Sequence, residues 1–359
     1  MNARPHVEII AEAGVNHDGS LAKALELVTV AHEAGADAVK FQTFHAHTLA
    51  VAGAGLADYQ KKGGAAADQK DMLKALELDK PAFREIAAHA ARLGIRFLST
   101  PFDTDSLDFL VGELGMDAIK ISSGDLTNGP LLLAAARTGI PLILSTGMAT
   151  EAEISDALGL VSFALGSAAK PPSRAAFSAA WQNAEQREAA RKQMTLLQCT
   201  SQYPAPVGDS NLRAMATLRE KFGVLVGLSD HTEGVAIGIA AAALGACMIE
   251  KHFTLDRAAI GPDHRASLDP EALTQLVRGV RDVESALGDG IKRPRPSEID
   301  VQAVARRSLV AAREIRKGEI FTEDNVTAKR PASGRSPMDI WDVLGTFAQR
   351  DFRPDDFIP

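Results

Sequence analysis

Val224-Leu-Val-Gly-Leu-Ser-Asp230-His231 and, after a helical segment, Cys247-Met-Ile-Glu250-Lys-His252-Phe253 are two short apolar runs that each finish in polar groups and a histidine. Neither alternates apolar with polar residues along its length, so each reads as a strand covered on both faces of a parallel sheet. Working outward, six more runs share this character: Val7–Ala13, Ala38–Phe44, Arg96–Phe102, Ala118–Gly124, Pro141–Gly147 and Thr195–Ser201. Segments of helical period separate them. The last segment places Leu273, Leu276, Val277, Val280, Val283 and Leu287 on one face, with Asp269 as N-cap and Pro270 at the first helical position. Eight strand–helix units predict an α/β chain folded as a (β/α)8 TIM barrel, with an open doubly wound sheet as the rival.

Composition sets the outer limits. The chain has 359 residues, 46% hydrophobic and 24% charged, with a net charge of -7. That balance offers no global basic field for nucleic acid or an anionic membrane, so an anionic substrate needs a local cluster of cations. Cys199 and Cys247 lie inside strand-like runs, where buried thiols are expected rather than a disulfide, and a reducing cytoplasm fits. Met1 to Gly14 lacks the features of a secretory signal, and the apolar stretch Val235 to Ile249 is short for a membrane span, so a cytoplasmic location is expected.

Residues 1–287 are read as the barrel. Gly288 to Pro296 and its continuation, 288–304, read as a linker, and 305–359 as a small, mostly β second domain. Two stretches of the barrel stand out. His45 to Lys70 is a long Gly/Ala-rich loop on the face where sites form. Ala164 to Lys192 reads as an insertion on the opposite side, with a structural role.

In a barrel of this kind the chemistry comes from the C-terminal ends of several strands. Here all eight runs end polar: Glu12; Lys40 and Gln42; Ser99 and Thr100; Lys120, Ser123 and Asp125; Ser145; Ser201 and Tyr203; Ser229 and His231; Glu250 and His252. A period of two puts Lys40 with Gln42, Ser229 with His231, and Glu250 with His252 on common faces. A lysine inside an apolar strand is costly unless paired. Two of them, beside several hydroxyl-bearing strand ends, point to a bound dianion or trianion; pairing with a core carboxylate such as Glu12 is the plainer alternative. His231 and His252, on adjacent strands, can reach one ion at about 2.0–2.2 Å and leave positions open, with Asp263 and Glu250 completing or orienting the shell. So few nitrogen ligands favour a labile ion, Mn2+ first and Mg2+ or Co2+ after it, over tightly held Zn2+. His17 and His264 are candidates for substrate contact, and Asn16-His17-Asp18-Gly19 is equally a turn and helix cap.

Ile10-Ala-Glu-Ala-Gly-Val-Asn-His17, Val39-Lys-Phe-Gln-Thr, Leu98-Ser-Thr-Pro-Phe, Lys120-Ile-Ser-Ser-Gly-Asp, Leu144-Ser-Thr-Gly-Met, Ser229-Asp-His-Thr, Glu250-Lys-His-Phe-Thr and Gly261-Pro-Asp-His-Arg-Ala-Ser-Leu together resemble the sialic acid synthase family. The tail Lys329-Arg-Pro-Ala-Ser-Gly resembles that family's antifreeze-like (SAF) domain. The resemblance implies a transferase that condenses phosphoenolpyruvate with the aldehyde of an N-acylated mannosamine, giving a nine-carbon 3-deoxy-2-keto acid and phosphate. It implies that His231 and His252 hold the ion, and that Lys40, Gln42, Thr100, Lys120, Ser123, Ser145 and Ser229 hold phosphoenolpyruvate. Glu12, Tyr203 and Asp263 would bind the sugar, and Glu12 or Asp125 would move protons. Family members vary between Asp and Glu at the position of Asp125, and some carry Asn where Ser201 stands. The resemblance further implies a homodimer in which Arg330 of the small domain contacts the sugar's N-acyl group over the partner's barrel; read without it, Arg330 is a surface arginine before a proline turn. The expected acceptor is N-acetylmannosamine, with a 2,4-diacetamido-6-deoxy sugar, the legionaminate precursor, as the alternative. A synthase for a phosphorylated aldose would need further arginines at the strand ends. A non-catalytic carbohydrate- or ice-binding protein would have lost strand-end lysines or histidines.

Overall fold

Each apolar run becomes a parallel strand, and the strands close on themselves. The computed structural model describes residues 6–57, 68–166 and 171–359. The strands are β1 (Glu8–Gly14), β2 (Ala38–Thr43), β3 (Arg96–Pro101), β4 (Ile119–Ile121), β5 (Leu142–Ser145), β6 (Met194–Cys199), β7 (Leu225–Asp230) and β8 (Met248–His252). Their order is β3-β2-β1-β8-β7-β6-β5-β4, all neighbours parallel, and β3 packs against β4 to complete the ring. The expected barrel is therefore observed, and the open sheet is excluded because its two edge strands, β3 and β4, pack against each other.

Apart from β1, which runs one residue past its apolar run to Gly14, the strands stop one to three residues short of the runs because polar strand ends turn into loops. β4 is the clearest case: Ser122 Oγ accepts from the Asp125 backbone N–H and starts a tight turn over Ser123–Asp125. Between strands, helices begin where the sequence supplies caps. Asp269 accepts from Ala272 N at 2.8 Å and opens the helix Pro270–Ala286, as its sequence predicts. Buried strand residues and one face of each helix form a single core, in which Ile9, Phe41, Phe83, Leu144 and Leu276 are fully enclosed. Burying each such side chain contributes about 1.5–3 kcal/mol.

At the N-terminal end of the strands, charged residues pair along the rim. Arg281 lies 2.6 Å from Asp37 and 2.8 Å from Glu284 and donates to the Val7 carbonyl, while Arg96 bridges Glu8 and Asp117. The segment expected to be structural contains two helices, Arg174–Gln182 and Ala184–Gln193, packed on the helix Glu151–Gly166 and leading into β6. Within the long loop after β2, helices span Ala46–Leu49 and Gln69–Leu76, and residues 58–67 lie outside the described residues. Both cysteines are free thiols. Among the described residues no helix is long and apolar enough to cross a membrane.

The chain divides into two compact units, Met1–Gly288 and Asp289–Pro359. In the second unit β9 (Ser308–Ala311) and β10 (Val326–Lys329) pair antiparallel around a core of Leu309, Ile315, Phe321, Val343, Phe352 and Ile358. Of the stretch read as a linker, 288–304, all but Gly288 falls within this unit. Asp289 pairs with Arg293 and Arg295, Glu298 accepts from the Arg295 N–H, and a helix follows at Ile299–Ala305. Its glycines and prolines suggest a linker, but Pro296 opens a turn rather than an extended spacer.

Candidate active site

Strand register brings the polar ends to one level. Glu12 of β1 pairs in register with Lys40 of β2 and with His252 of β8, and Ser229 of β7 pairs with Glu250 of β8. Alternation then turns these side chains into the barrel mouth. Lys40 Nζ lies 2.6 Å from Glu12 Oε2, 3.6 Å from Glu250 Oε2 and 3.1 Å from Thr100 Oγ1. Lys120 Nζ approaches Glu250 Oε1 at 3.4 Å, and Ser229 Oγ donates to the same oxygen at 3.0 Å. Two ammonium groups thus flank one carboxylate, and all four charged side chains are buried.

This burial divides the carboxyl groups. Desolvation pushes Glu12 up to about 7, aided by the negative charge of Glu250 and opposed by Lys40. Burial also acts on Glu250, yet Lys120 and Lys40 outweigh it and hold that carboxyl below the usual range. Desolvation, with Lys40 nearby, lowers Lys120 despite the pull of Glu250. The floor therefore sets two lysines against one firm carboxylate and one carboxyl raised to about 7. An anion with several oxygens would offset the surplus positive charge. Ser145 Oγ, buried and without a hydrogen-bond partner, is a further unspent donor at the same strand ends.

The two histidines face each other beside this floor, ring centroids 5.4 Å apart. His231 Nδ1 meets the Thr200 carbonyl at 2.8 Å, so it carries the proton and leaves Nε2 as a lone-pair donor. Burial, reinforced by His231 and Lys40, holds His252 well below the ordinary histidine range, so its imidazole is neutral; its Nδ1 is buried without a hydrogen-bond partner. Asp263 Oδ2 stands 3.8 Å from that nitrogen, and burial raises Asp263 to about 6. Burial works against charge on His231, but hydrogen bonding with Cys199 and Thr200 outweighs it and raises that histidine above its ordinary value. The neutral His252 with its orphaned ring nitrogen, the facing His231 ring and a nearby carboxyl group fit a divalent ion with oxygen ligands around it. Another set of donors, His45, Asp103 and Asp105, lies at the ends of the loops after β2 and β3, but His45 and Asp103 are hydrogen-bonded to each other and to Thr48.

The remaining expected residues divide clearly. Tyr203 stacks on His231 at 4.2 Å between ring centroids and meets His252 edge-on at 5.6 Å, so it joins the site. Gln42 Nε2 reaches Glu12 Oε1 at 3.5 Å. Ser123 Oγ accepts from the Gly147 N–H at 3.0 Å; a Cβ at Gly147 would fall 2.8 Å from that oxygen and 2.2 Å from Ser201 Oγ, so a larger residue would displace both hydroxyls. Asp125 differs from expectation. Its carboxylate accepts from Ser122 Oγ and Asn128 Nδ2 within its own turn, and those bonds give it a local capping role. His264 turns to structure, whereas His17 does so only at Nδ1, its Nε2 being buried without a hydrogen-bond partner. His264 bonds Asp18 and Thr254, and burial lowers His17 to about 4 while its Nδ1 accepts from Gly19 N. Arg330, in the second unit, is exposed and donates to the Ala305 carbonyl. Gly14 is required at the β1 end: its φ is +54°, and a Cβ there would press on both His252 and Glu12.

Residues 27–292 match the NeuB family and residues 306–359 match the SAF domain. The chain belongs to the NeuB family. Its NeuB-family relatives include an N,N'-diacetyllegionaminic acid synthase of Campylobacter jejuni, 45% identical over 98% of both chains. One of the same name from Legionella pneumophila is 42% identical, covering 94% of this chain and 89% of the relative. Human N-acetylneuraminate-9-phosphate synthase is 34% identical, covering 94% of this chain and 87% of its own. Among solved structures, the N-acetylneuraminic acid synthetase of Leptospira borgpetersenii in complex with citrate superposes with a TM-score of 0.65 at 33% identity, over 82% of this chain and 90% of that one. As a NeuB-family member the chain is a phosphoenolpyruvate-dependent, C–C bond-forming synthase of the nonulosonate class.

Proposed function

We propose that this synthase condenses phosphoenolpyruvate with a 2,4-diacetamido-6-deoxy hexose and water to give N,N'-diacetyllegionaminate and phosphate. The observation that carries the reaction is the buried Lys40–Glu250–Lys120 cluster beside two facing imidazoles. The choice of sugar rests on the relatives. The chain is 45% and 42% identical to two synthases named for diacetyllegionaminate and 34% identical to one named for N-acetylneuraminate-9-phosphate. The expectation of N-acetylmannosamine as acceptor gives way to the alternative on that ground.

Lys40 and Lys120, with Gln42, Thr100, Ser123, Ser145 and Ser229, bind the phosphate and carboxylate of phosphoenolpyruvate and neutralise them in a dry floor. Tyr203 and Asp263 orient the sugar so that its aldehyde carbon meets the alkene C3. The C3–C1 bond forms, positive charge develops at C2, water adds there and gives up a proton that returns Glu12 to its acid form, and the C2–O bond breaks with its electron pair leaving on phosphate as the C2 hydroxyl becomes the ketone. His231 and His252 would hold a divalent ion, Mn2+ first, and when bound it would supply Lewis acidity toward the aldehyde. Glu12, raised to about 7 by burial despite Lys40, delivers a proton to the developing alkoxide, a role its place in the mouth suits better than that of the locally capped Asp125. We further propose a homodimer in which Arg330 of one subunit reaches the sugar's N-acyl group over the barrel of the other. Mixing two inactive variants, Arg330→Ala and His252→Ala, should restore part of the activity through one intact composite site; no recovery in proven mixed dimers removes the cross-subunit role.

The acceptor is tested by comparing kcat/KM for the two sugars at saturating phosphoenolpyruvate and Mn2+, with phosphate release followed by time. The diacetamido sugar should exceed N-acetylmannosamine by about ten-fold or more, the difference expected of one polar contact made or left unpaired. A preference for N-acetylmannosamine reverses the assignment.

A further inference from the structure

The ends of β7 and β8 carry a second polar cluster on the side facing away from the site. Ser229 and Glu250 pair in register and point into the mouth, whereas the next pair in register, Asp230 and Lys251, points into the helical layer. Both side chains are 1% exposed. Lys251 Nζ lies 2.8 Å from Asp230 Oδ2 and donates to the Thr232 carbonyl at 2.5 Å. Asp230 Oδ1 accepts from the backbone N–H of Thr232 at 2.9 Å and from its Oγ1 at 2.8 Å. The helix Ala236–Ala243 closes over the cluster at Gly238, where a Cβ would come within 3.8 Å of Asp230 Oδ2.

A buried ion pair of this kind adds little net stability, because the desolvation of both charges offsets most of their attraction; apolar residues of the same shape would hold the strands together as well. Apolar residues could not, however, fix the direction of the backbone beyond β7. Asp230 and Thr232 flank His231, and Lys251 immediately precedes His252. The cluster ties the residue after one histidine to the residue before the other. From the mouth side, the His231 carbonyl is held by the Ala205 N–H at 2.8 Å and its ring by the Thr200 carbonyl.

We propose that Asp230, Thr232 and Lys251 are positioning residues that set His231 and His252 at the separation a single divalent ion requires. They act from behind the strands and touch neither substrate nor ion. The inference rests on the reading of the two histidines as the metal pair.

The test uses the full-length double variant Asp230→Leu/Lys251→Met, which replaces the pair by apolar residues. Its thermal midpoint should stay within a few degrees of the parent, while its Kd for Mn2+, read by electron paramagnetic resonance, rises about ten-fold or more, the usual effect of losing support behind a metal ligand. kcat should fall and KM for phosphoenolpyruvate should hold, since Lys40 and Lys120 are untouched. A folded double variant that binds Mn2+ within two-fold of the parent overturns the proposal. Should that variant fail to fold, Thr232→Val removes only the hydroxyl bond to Asp230; Mn2+ binding should weaken about three-fold and recover in Thr232→Ser, and an unchanged Kd in the valine variant also overturns it. His252→Ala separates this from the metal reading. If His252→Ala binds Mn2+ like the parent, the ion lies elsewhere, and the positioning claim is then decided by the imidazole nitrogen shifts of the two histidines in the double variant, which must move for it to stand.

Discussion

The two ends of the barrel are both rich in charge and differ in how that charge is spent. At the N-terminal end, Arg281 serves Asp37, Glu284 and the Val7 carbonyl, and Arg96 serves Glu8 and Asp117. Each of these arginines is partly exposed and finds its partners along the rim. At the C-terminal end, Lys40 and Lys120 converge on one firm carboxylate, Ser145 Oγ and His252 Nδ1 have no hydrogen-bond partner, and everything is buried. Satisfied, wet charge is scaffold; buried charge with donors to spare is a site shaped for something that arrives from solution.

The largest expected effect breaks the second half of that contrast. His252→Ala should lower kcat by about a thousand-fold, the scale of losing an electrophilic stabiliser, with the fold intact by circular dichroism. A loss below ten-fold would remove His252 from the chemistry. Lys120→Met should come next. It should raise KM for phosphoenolpyruvate about ten- to hundred-fold, the equivalent of a charge-assisted hydrogen bond worth about 1.5–3 kcal/mol, yet leave the thermal midpoint equal or higher, because an under-compensated buried ammonium is removed. A fall in the midpoint with unchanged KM would make Lys120 a structural residue.

Glu12 sharpens the comparison through pH. Its folded value is raised to about 7, so the protonated acid is the native form below that pH and is lost as pH rises through it. kcat/KM should therefore decline above about pH 7, and Glu12→Gln should be slower by about a hundred-fold and lose that limb of the profile. A limb that survives the substitution belongs to another group. The smallest effect is expected at the opposite end. Arg281→Ala should cost about 1 kcal/mol, a fall of about 2–4 °C in the thermal midpoint, with kcat/KM within two-fold of the parent.

The C-terminal half of this contrast is legible in the sequence, whereas the rim pairs of Arg281 and Arg96 are not. The eight covered strands show as apolar runs because parallel strands bury both faces, and the strand ends show as polar because the barrel mouth must hold its chemistry there. What period and spacing cannot supply is partnership across the sheet. Glu250 reads as a neighbour of the metal, whereas register places its oxygens between Lys40, Lys120 and Ser229. Asp125 reads as one of two candidate proton carriers, whereas the short reach of its turn commits it to Ser122 and Asn128. Asp230 and Lys251 draw no notice in sequence, since each sits beside a histidine that does; only the alternation of two paired strands shows them meeting behind it. The folded stretch from Asp289 is hidden for a similar reason, its ion pairs being local but its composition that of a linker.

The most direct measurement is one turnover of the full-length protein with phosphoenolpyruvate, Mn2+ and the 2,4-diacetamido-6-deoxy hexose in water enriched in oxygen-18, read by mass spectrometry. Attack of water at C2 predicts a nine-carbon keto acid and one unlabelled phosphate for each C–C bond formed. Label in the phosphate, or phosphate released with no nine-carbon acid, would contradict a condensation at the buried end of this barrel.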